Sequence, residues 1–258
     1  MADDPVDGLR LTVVGPAPAY TRRPDRASSC YLLEANGEAL VLDLGQGSFA
    51  ALAGYREPAS VRAIFISHLH PDHCIDLVPL RHYLRYGAPE QRSVELHAPA
   101  ELRRRFDQLI GETDFLADLP GDPLEPGDRL IGPFAVRVGR VAHTDSSFGF
   151  RVATMSGSGF VYSGDCERET DLLPLMRPGD VLLCEAAFGA DGSQPTAGHL
   201  GAAQAARAAQ EGQASRLILT HILDQADEKA ARRRAAEVFK GPIDVARPGL
   251  VSRIPATD

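Results

Sequence analysis

Apolar residues along this chain recur first at strand spacing and then in alternating strand and helix rhythms. Short β-rich runs occupy 9–14, 30–34 and 39–43, with Asn36-Gly37 supplying a turn signal between the last two. The run 61–66 is apolar apart from Arg62, as suits a strand buried on both faces, and it leads directly into a group of histidines. Helical spacing then predicts helices over 75–86 and 100–110, separated by a strand at 94–98. The Pro- and Gly-rich stretch 119–133 reads as loop. Strands return at 135–142, 148–153 and 160–163. They are followed by a helical turn over 170–176, a strand at 181–185, a helix over 201–210, a strand at 216–220 and a helix over 228–239.

Two β-rich halves with interspersed helices predict an α/β fold: two sheets packed face to face, helices outside, strand ends converging on one edge. The chain has 258 residues and shows no clear internal repeat, so one domain over 1–258 is expected. No apolar stretch reaches the ~18 residues that suggest a membrane span. The acidic start Met-Ala-Asp-Asp-Pro-Val-Asp lacks the basic and apolar parts of a secretory signal, so a cytoplasmic location is expected. Cys30, Cys74, Cys166 and Cys184 form no C-x-x-C pair and are expected to be buried or site-adjacent thiols. A formal charge of -8 works against general affinity for nucleic acid. The densest basic residues, Arg81, Arg85, Arg92 and Arg103-Arg104-Arg105, are expected to form a solvated helix face.

Candidate chemistry concentrates in Ser67-His68-Leu69-His70-Pro71-Asp72-His73, although the chain holds only 8 histidines. On extended backbone His68 and His70 point to the same side and can share one ion, and Asp72 and His73 on the following turn can reach a second. Further candidate ligands follow apolar strands: His143, Asp165 and His221. Zinc suits such a His and Asp set, and manganese or iron fits the same nitrogen and oxygen donors. Asp43 either orients a ligand histidine through its second ring nitrogen or is a strand-end turn aspartate.

The run SHLHPDH, followed by isolated His143, Asp165 and His221, resembles the five-motif pattern of the metallo-β-lactamase superfamily. The resemblance implies an αββα sandwich with a dinuclear site at its edge. By matching position, His68, His70 and His143 would hold one ion, Asp72, His73 and His221 the other, and Asp165 would bridge. Aspartate at 165, where true zinc β-lactamases typically have cysteine, points to the phosphodiesterase and glyoxalase-like branches.

Two further segments, Leu183-Cys184-Glu185-Ala186-Ala187-Phe188 and Gly198-His199-Leu200, are similar to the H-E-A-T segment and helix-capping histidine of the ribonuclease Z-like phosphodiesterases. Cys184 stands where that segment has histidine and Ala187 where it has threonine. The likeness implies that His199 is a general acid kept protonated by Glu185. Asp72 joins them in the catalytic set through the ion it would hold.

What this implies is hydrolysis of a small phosphodiester, such as a cyclic nucleotide, by hydroxide held on two divalent ions. The substrate would be a small molecule, with neither membrane nor nucleic acid as partner. No long basic arm of the kind that clamps tRNA is visible, and Gly15-Pro16-Ala17-Pro18-Ala19-Tyr20 departs from the Gly/Ser-rich turn of these relatives. A homodimer is open, with Tyr83, Leu84 and Tyr86 as contact candidates. Alternatives are a hydrolase of a carboxylic ester, lactone or thioester, or a non-catalytic or pathway-specific member.

Overall fold

Two sheets face each other, and the alternation of side chains along each strand decides what lies between them. The computed structural model describes residues 8–88, 93–154, 157, 159–191 and 198–255. The acidic residues 1–7 and Arg92 lie outside them.

The first half contributes β1 (Gly8–Gly15), β2 (Cys30–Ala35), β3 (Glu38–Leu42), α1 (Ser48–Ala53), β4 (Ala63–Phe65), α2 (Pro71–Cys74), α3 (Leu77–Tyr86), β5 (Glu95–His97) and α4 (Leu102–Ile110). The second half contributes β6 (Gly127–Ile131), β7 (Phe134–Arg140), β8 (Phe148–Thr154), β9 (Gly159–Tyr162), β10 (Val181–Glu185), α5 (Ala202–Glu211), β11 (Arg216–Thr220), α6 (Glu228–Val238), β12 (Ile243–Val245) and β13 (Val251–Pro255). The 6-stranded sheet has the order β13-β1-β2-β3-β4-β5, and the 7-stranded sheet the order β12-β11-β10-β9-β8-β7-β6. The last strand of the chain therefore returns to pair with the first, antiparallel, Leu9 opposite Ile254.

Inward residues of both sheets form one core: Leu9, Leu11, Val13, Tyr31, Leu33, Leu40, Leu42 and Phe65 meet Phe134, Val136, Val138, Phe150, Val152, Phe160, Tyr162 and Leu183. The intervening positions face outward onto helices. Leu32, Val41 and Ile64 pack with Leu77, Leu80, Leu102 and Phe106, while Leu182, Cys184, Leu217 and Leu219 pack with the alanines of α5 and α6. This two-sided burial is why β4, β10 and β11 read as continuous apolar runs rather than alternating ones. The result is the expected αββα layering. Among the described residues no helix is long and apolar enough to cross a membrane.

Several local expectations need correction. The stretch read as loop contains β6, whose only buried residue is Ile131; it is an edge strand held by its register with β7. Short edge strands β12 and β13 also carried too few alternating residues to show in the sequence. The helix expected over 75–86 is α3, beginning at Leu77; the separate single turn α2, ahead of it at Pro71–Cys74, was not expected. The basic helix face is only partly solvated. Buried Arg81 bonds Glu112 Oε1 at 2.7 Å and the Phe115 carbonyl at 3.1 Å, and Arg103 donates to the carbonyls of Leu116 and Leu119. These arginines fasten the 112–119 segment rather than present charge to a partner. All four cysteines are free and buried.

Candidate metal centre

Most of the chemically interesting side chains lie at or just past the carboxyl end of a strand, and these strands bring their residues to the same edge. Asp43 follows β3, His68 and His70 follow β4, His143 follows β7, Asp165 follows β9, Glu185 ends β10 and His221 follows β11. Asp72 and His73 lie on α2, a single turn opened by Pro71, whose missing N–H costs nothing at that position. Gly45 permits the close approach: a Cβ there would lie 1.9 Å from the Asp72 carbonyl oxygen. That contact sits beside the bond from Leu44 N to the His73 carbonyl, 2.8 Å.

The expected ligands come together. Donor atoms of His68, His70, His143 and Asp165 form one group, and those of Asp72, His73 and His221 a second, each within 4.8 Å of one another. His68 Nε2 lies 3.0 Å from His70 Nδ1, which lies 3.2 Å from His143 Nε2. Asp165 faces both groups. Its Oδ2 is 3.5 Å from His68 Nε2 and 3.6 Å from His143 Nε2, and its Oδ1 is 3.4 Å from His73 Nε2 and 3.6 Å from His221 Nε2. His221 Nε2 also lies 3.1 Å from Asp72 Oδ2. His70 is exposed and His143 half-buried, whereas His68, Asp72, His73, Asp165 and His221 are buried, so His70 and His143 line the mouth and the others the floor.

The residues fit metal ions. His73 Nε2 and Asp165 Oδ1 are buried, yet neither has a hydrogen-bond partner; their 3.4 Å separation lacks hydrogen-bond alignment. Buried polar atoms are rarely left so, and a cation supplies what both need. Charge points the same way. Burial raises Asp72, but its hydrogen bond to His221 and the nearby His73 ring outweigh that and leave it well below the usual carboxylate range. For Asp165 the upward push of burial is overcome by His221, His73 and His68, again leaving it well below that range. Burial, and then the charge of His73, pushes His68 well below the ordinary imidazole value; burial and His143 lower His70. Ionised Asp72 and Asp165 beside neutral His68 and His70 are the protonation states a divalent ion requires of those four ligands, and an ion at His73 Nε2 would take the place of the proton there.

Outer contacts orient the rings. His73 Nδ1 donates to Asp43 Oδ2 at 2.7 Å, which decides the open question on Asp43 in favour of ring orientation. Burial acts to lower His73, but Asp165 and Asp43 overcome it and hold it well above its ordinary value. His143 Nδ1 donates to the Gly198 carbonyl at 2.6 Å, where φ of +109° favours glycine. His221 has φ of +56° and is held by its N–H bond to the Pro16 carbonyl, 3.1 Å. Ser67, given no role by the sequence reading, donates from both N and Oγ to Asp43. Ser67 was visible inside the quoted run, but the Pro16 and Gly198 carbonyls left no signal, because any residue carries a carbonyl.

His199 reaches the cluster from the second half. Its Nδ1 lies 2.9 Å from Glu185 Oε1 and 3.8 Å from Asp165 Oδ2, and its ring lies 4.8 Å from that of His143. Burial would lower it, but the hydrogen bond and charge of Glu185 prevail and raise it to about 9. It does not cap α5. The helix begins at Ala202 with Gly201 as N-cap, and His199 is turned to Glu185 instead. A cleft of about 500 Å³ over β6–β8 contains none of these residues, and its Arg137 and Arg151 are already paired with Asp128 and Asp180.

Comparison with known proteins places this geometry. The family described as Beta-lactamase superfamily domain matches residues 41–222. ML1173, an uncharacterized protein of Mycobacterium leprae (strain TN), is 34% identical over 249 residues, covering 91% of this chain and 85% of that protein. The probable metallo-hydrolase YhfI of Bacillus subtilis (strain 168) is 27% identical, covering 94% of this chain and 99% of YhfI. The crystal structure of YhfI, a metallo-beta-lactamase fold protein, matches with a TM-score of 0.85 at 26% identity, covering 95% of this chain and 99% of that one. A ribonuclease Z of Myxococcus xanthus (strain DK1622) is 24% identical, covering 97% of this chain and 99% of that enzyme. By sequence match, by fold and by a His/Asp cluster able to hold metal ions, this chain belongs to the β-lactamase superfamily, among its metallo-hydrolases.

Proposed function

We propose that the protein is a dinuclear metal-dependent phosphodiesterase acting on a small phosphodiester, such as a cyclic nucleotide. His68, His70, His143 and Asp165 Oδ2 would hold one divalent ion, and Asp72, His73, His221 and Asp165 Oδ1 the other. Zinc suits this donor set, as do manganese and iron. Bound there, such ions supply Lewis acidity to a phosphoryl oxygen and bring the pKa of water toward neutrality.

The observation that carries the phosphodiester reading is the Glu185–His199 pair, 2.9 Å, at the mouth of the cluster. An alkoxide leaving a phosphodiester is strongly basic and needs a proton as the bond breaks; an imidazolium held by a carboxylate provides one. Glu185 is buried and accepts from Cys166 N at 2.8 Å, so its carboxylate is pinned toward His199. The likeness to ribonuclease Z supports the same bond class. The acidic balance of the chain favours a small substrate over a nucleic acid. A homodimer through the exposed end of α3 at Tyr86 belongs to the same reading and is checked by the mass in solution.

Metal content and hydrolysis of a cyclic nucleotide, bis(p-nitrophenyl) phosphate and p-nitrophenyl acetate in one preparation test the assignment. Two ions per chain and phosphodiester turnover that disappears in His70→Ala and Asp165→Ala are expected. His199→Gln should lower cyclic-nucleotide turnover by about 10²–10⁴-fold, while bis(p-nitrophenyl) phosphate, whose leaving group needs little help, loses far less. Turnover of the acetate alone would move the assignment to an ester, lactone or thioester hydrolase.

A further inference from the structure

The buried carboxylate of Asp43 is a meeting point of both sheets. It sits at φ of +59° with no exposed surface. Ser67 N donates to its Oδ1 at 2.6 Å, and Ser67 Oγ and His73 Nδ1 reach its Oδ2 at 2.8 and 2.7 Å. All of these come from the first half of the chain. One further bond crosses from the other sheet: Tyr162 OH, at the end of β9, donates to Asp43 Oδ2 at 2.7 Å. Three residues on is Asp165, whose Oδ1 lies 3.4 Å from His73 Nε2. The contacts therefore close a ring, from Tyr162 to Asp43, to His73, to Asp165 and back along the backbone to Tyr162.

From this ring we infer that Tyr162 is a positioning residue for the metal centre: its bond to Asp43 holds His73, carried by the first sheet, in register with Asp165, carried by the second. The inference rests on the metal assignment made above. A phenylalanine would fill the same space in the core and pack equally on Tyr31, whose ring lies 4.8 Å away. A buried hydroxyl costs free energy unless it is bonded, so the hydroxyl contributes through its partner rather than through packing. Tyr31 supplies the contrast: its hydroxyl is also buried but bonds Thr220 Oγ1 at 2.8 Å rather than Asp43.

Tyr162→Phe, Tyr31→Phe, Asp43→Asn and the double variant Tyr162→Phe/Asp43→Asn would be titrated with zinc against a chromophoric chelator. Their Co(II) absorption spectra would be recorded alongside, with circular dichroism confirming the fold. For Tyr162→Phe we expect one of the two ions to bind about 10–100-fold more weakly, with a changed Co(II) band. Tyr31→Phe should bind as wild type does. The double variant should be no weaker than Asp43→Asn alone, because both changes cut the same link. Wild-type affinity in Tyr162→Phe, an equal loss in Tyr31→Phe, or additive losses in the double variant would overturn the inference and leave the metal assignment standing. If Tyr162→Phe does not fold, equal zinc affinity in Asp43→Asn and wild type overturns it. A wild-type protein that takes up no metal would overturn the assignment itself, and the inference with it.

Discussion

Glu185 and His199 are fourteen residues apart in sequence, and their chemistry is set by one 2.9 Å contact. The contact has a pH signature. Glu185 raises His199 to about 9 against the lowering effect of burial. An acid works only while it carries its proton, so its contribution is present below that value and is lost as pH rises through it. Removing the carboxylate in Glu185→Gln leaves burial as the main influence and must move the alkaline limb of kcat/KM for a cyclic nucleotide to lower pH. A limb that stays in place in the variant would separate Glu185 from the proton donor. At this scale the sequence named the participants but not their attitudes. His70 offers Nδ1 to the cluster while His68, His143 and His221 offer Nε2, and for His143 the Gly198 carbonyl at its Nδ1 sets that choice.

Elements were legible wherever burial is deep. The runs 63–65 in β4, 181–184 in β10 and 217–219 in β11 are apolar at successive positions because a helix layer covers the outer face and the opposite sheet covers the inner one. Edge strands β6, β12 and β13 were not legible, since an edge strand is held by backbone pairing on one side and tolerates polar residues and glycine. Helix α5 shows how an element fits its layer. Ala202, Ala205, Ala206, Ala208 and Ala209 are all fully buried, letting it lie close to β10, β11 and α6. Ala205→Leu would force a larger side chain into that interface and should cost about 1–3 kcal/mol in stability. Urea denaturation would measure it, and an unchanged midpoint would show that the layer has slack. The variant should leave zinc affinity intact, because α5 supplies no ligand.

At the scale of the whole molecule, the two sheets meet at the cluster as well as in the apolar core. Asp165, His143 and His221 come from the second half, and His68, His70, Asp72 and His73 from the first, so bound ions would tie the halves together. Linkage then makes the metal a stabiliser: at a free concentration 1,000 times its dissociation constant it contributes about 4 kcal/mol. For a chain of this size that is a rise in melting temperature of roughly 10 °C. Dialysis against a chelator should abolish turnover and lower the melting temperature by about that much, and zinc should restore both. His70→Ala should blunt the response. A melting temperature indifferent to the chelator would argue that the halves are held by the core alone.

The sequence by itself determined the layers and the candidate ligands. Two-sided apolar runs dictate strands covered on both faces, and histidines in an H-x-H-x-D-H run, with more at later strand ends, mark a cluster able to hold metal ions. Tertiary structure alone decided how those ligands pair and what holds them. Asp43 and His221 adopt left-handed backbone because Ser67, Tyr162 and the Pro16 carbonyl bond them there. The partners lie 24, 119 and 205 positions away in the chain. Hydrogen bonds across such separations depend on register and layer spacing, which a linear pattern of apolar and polar residues does not encode.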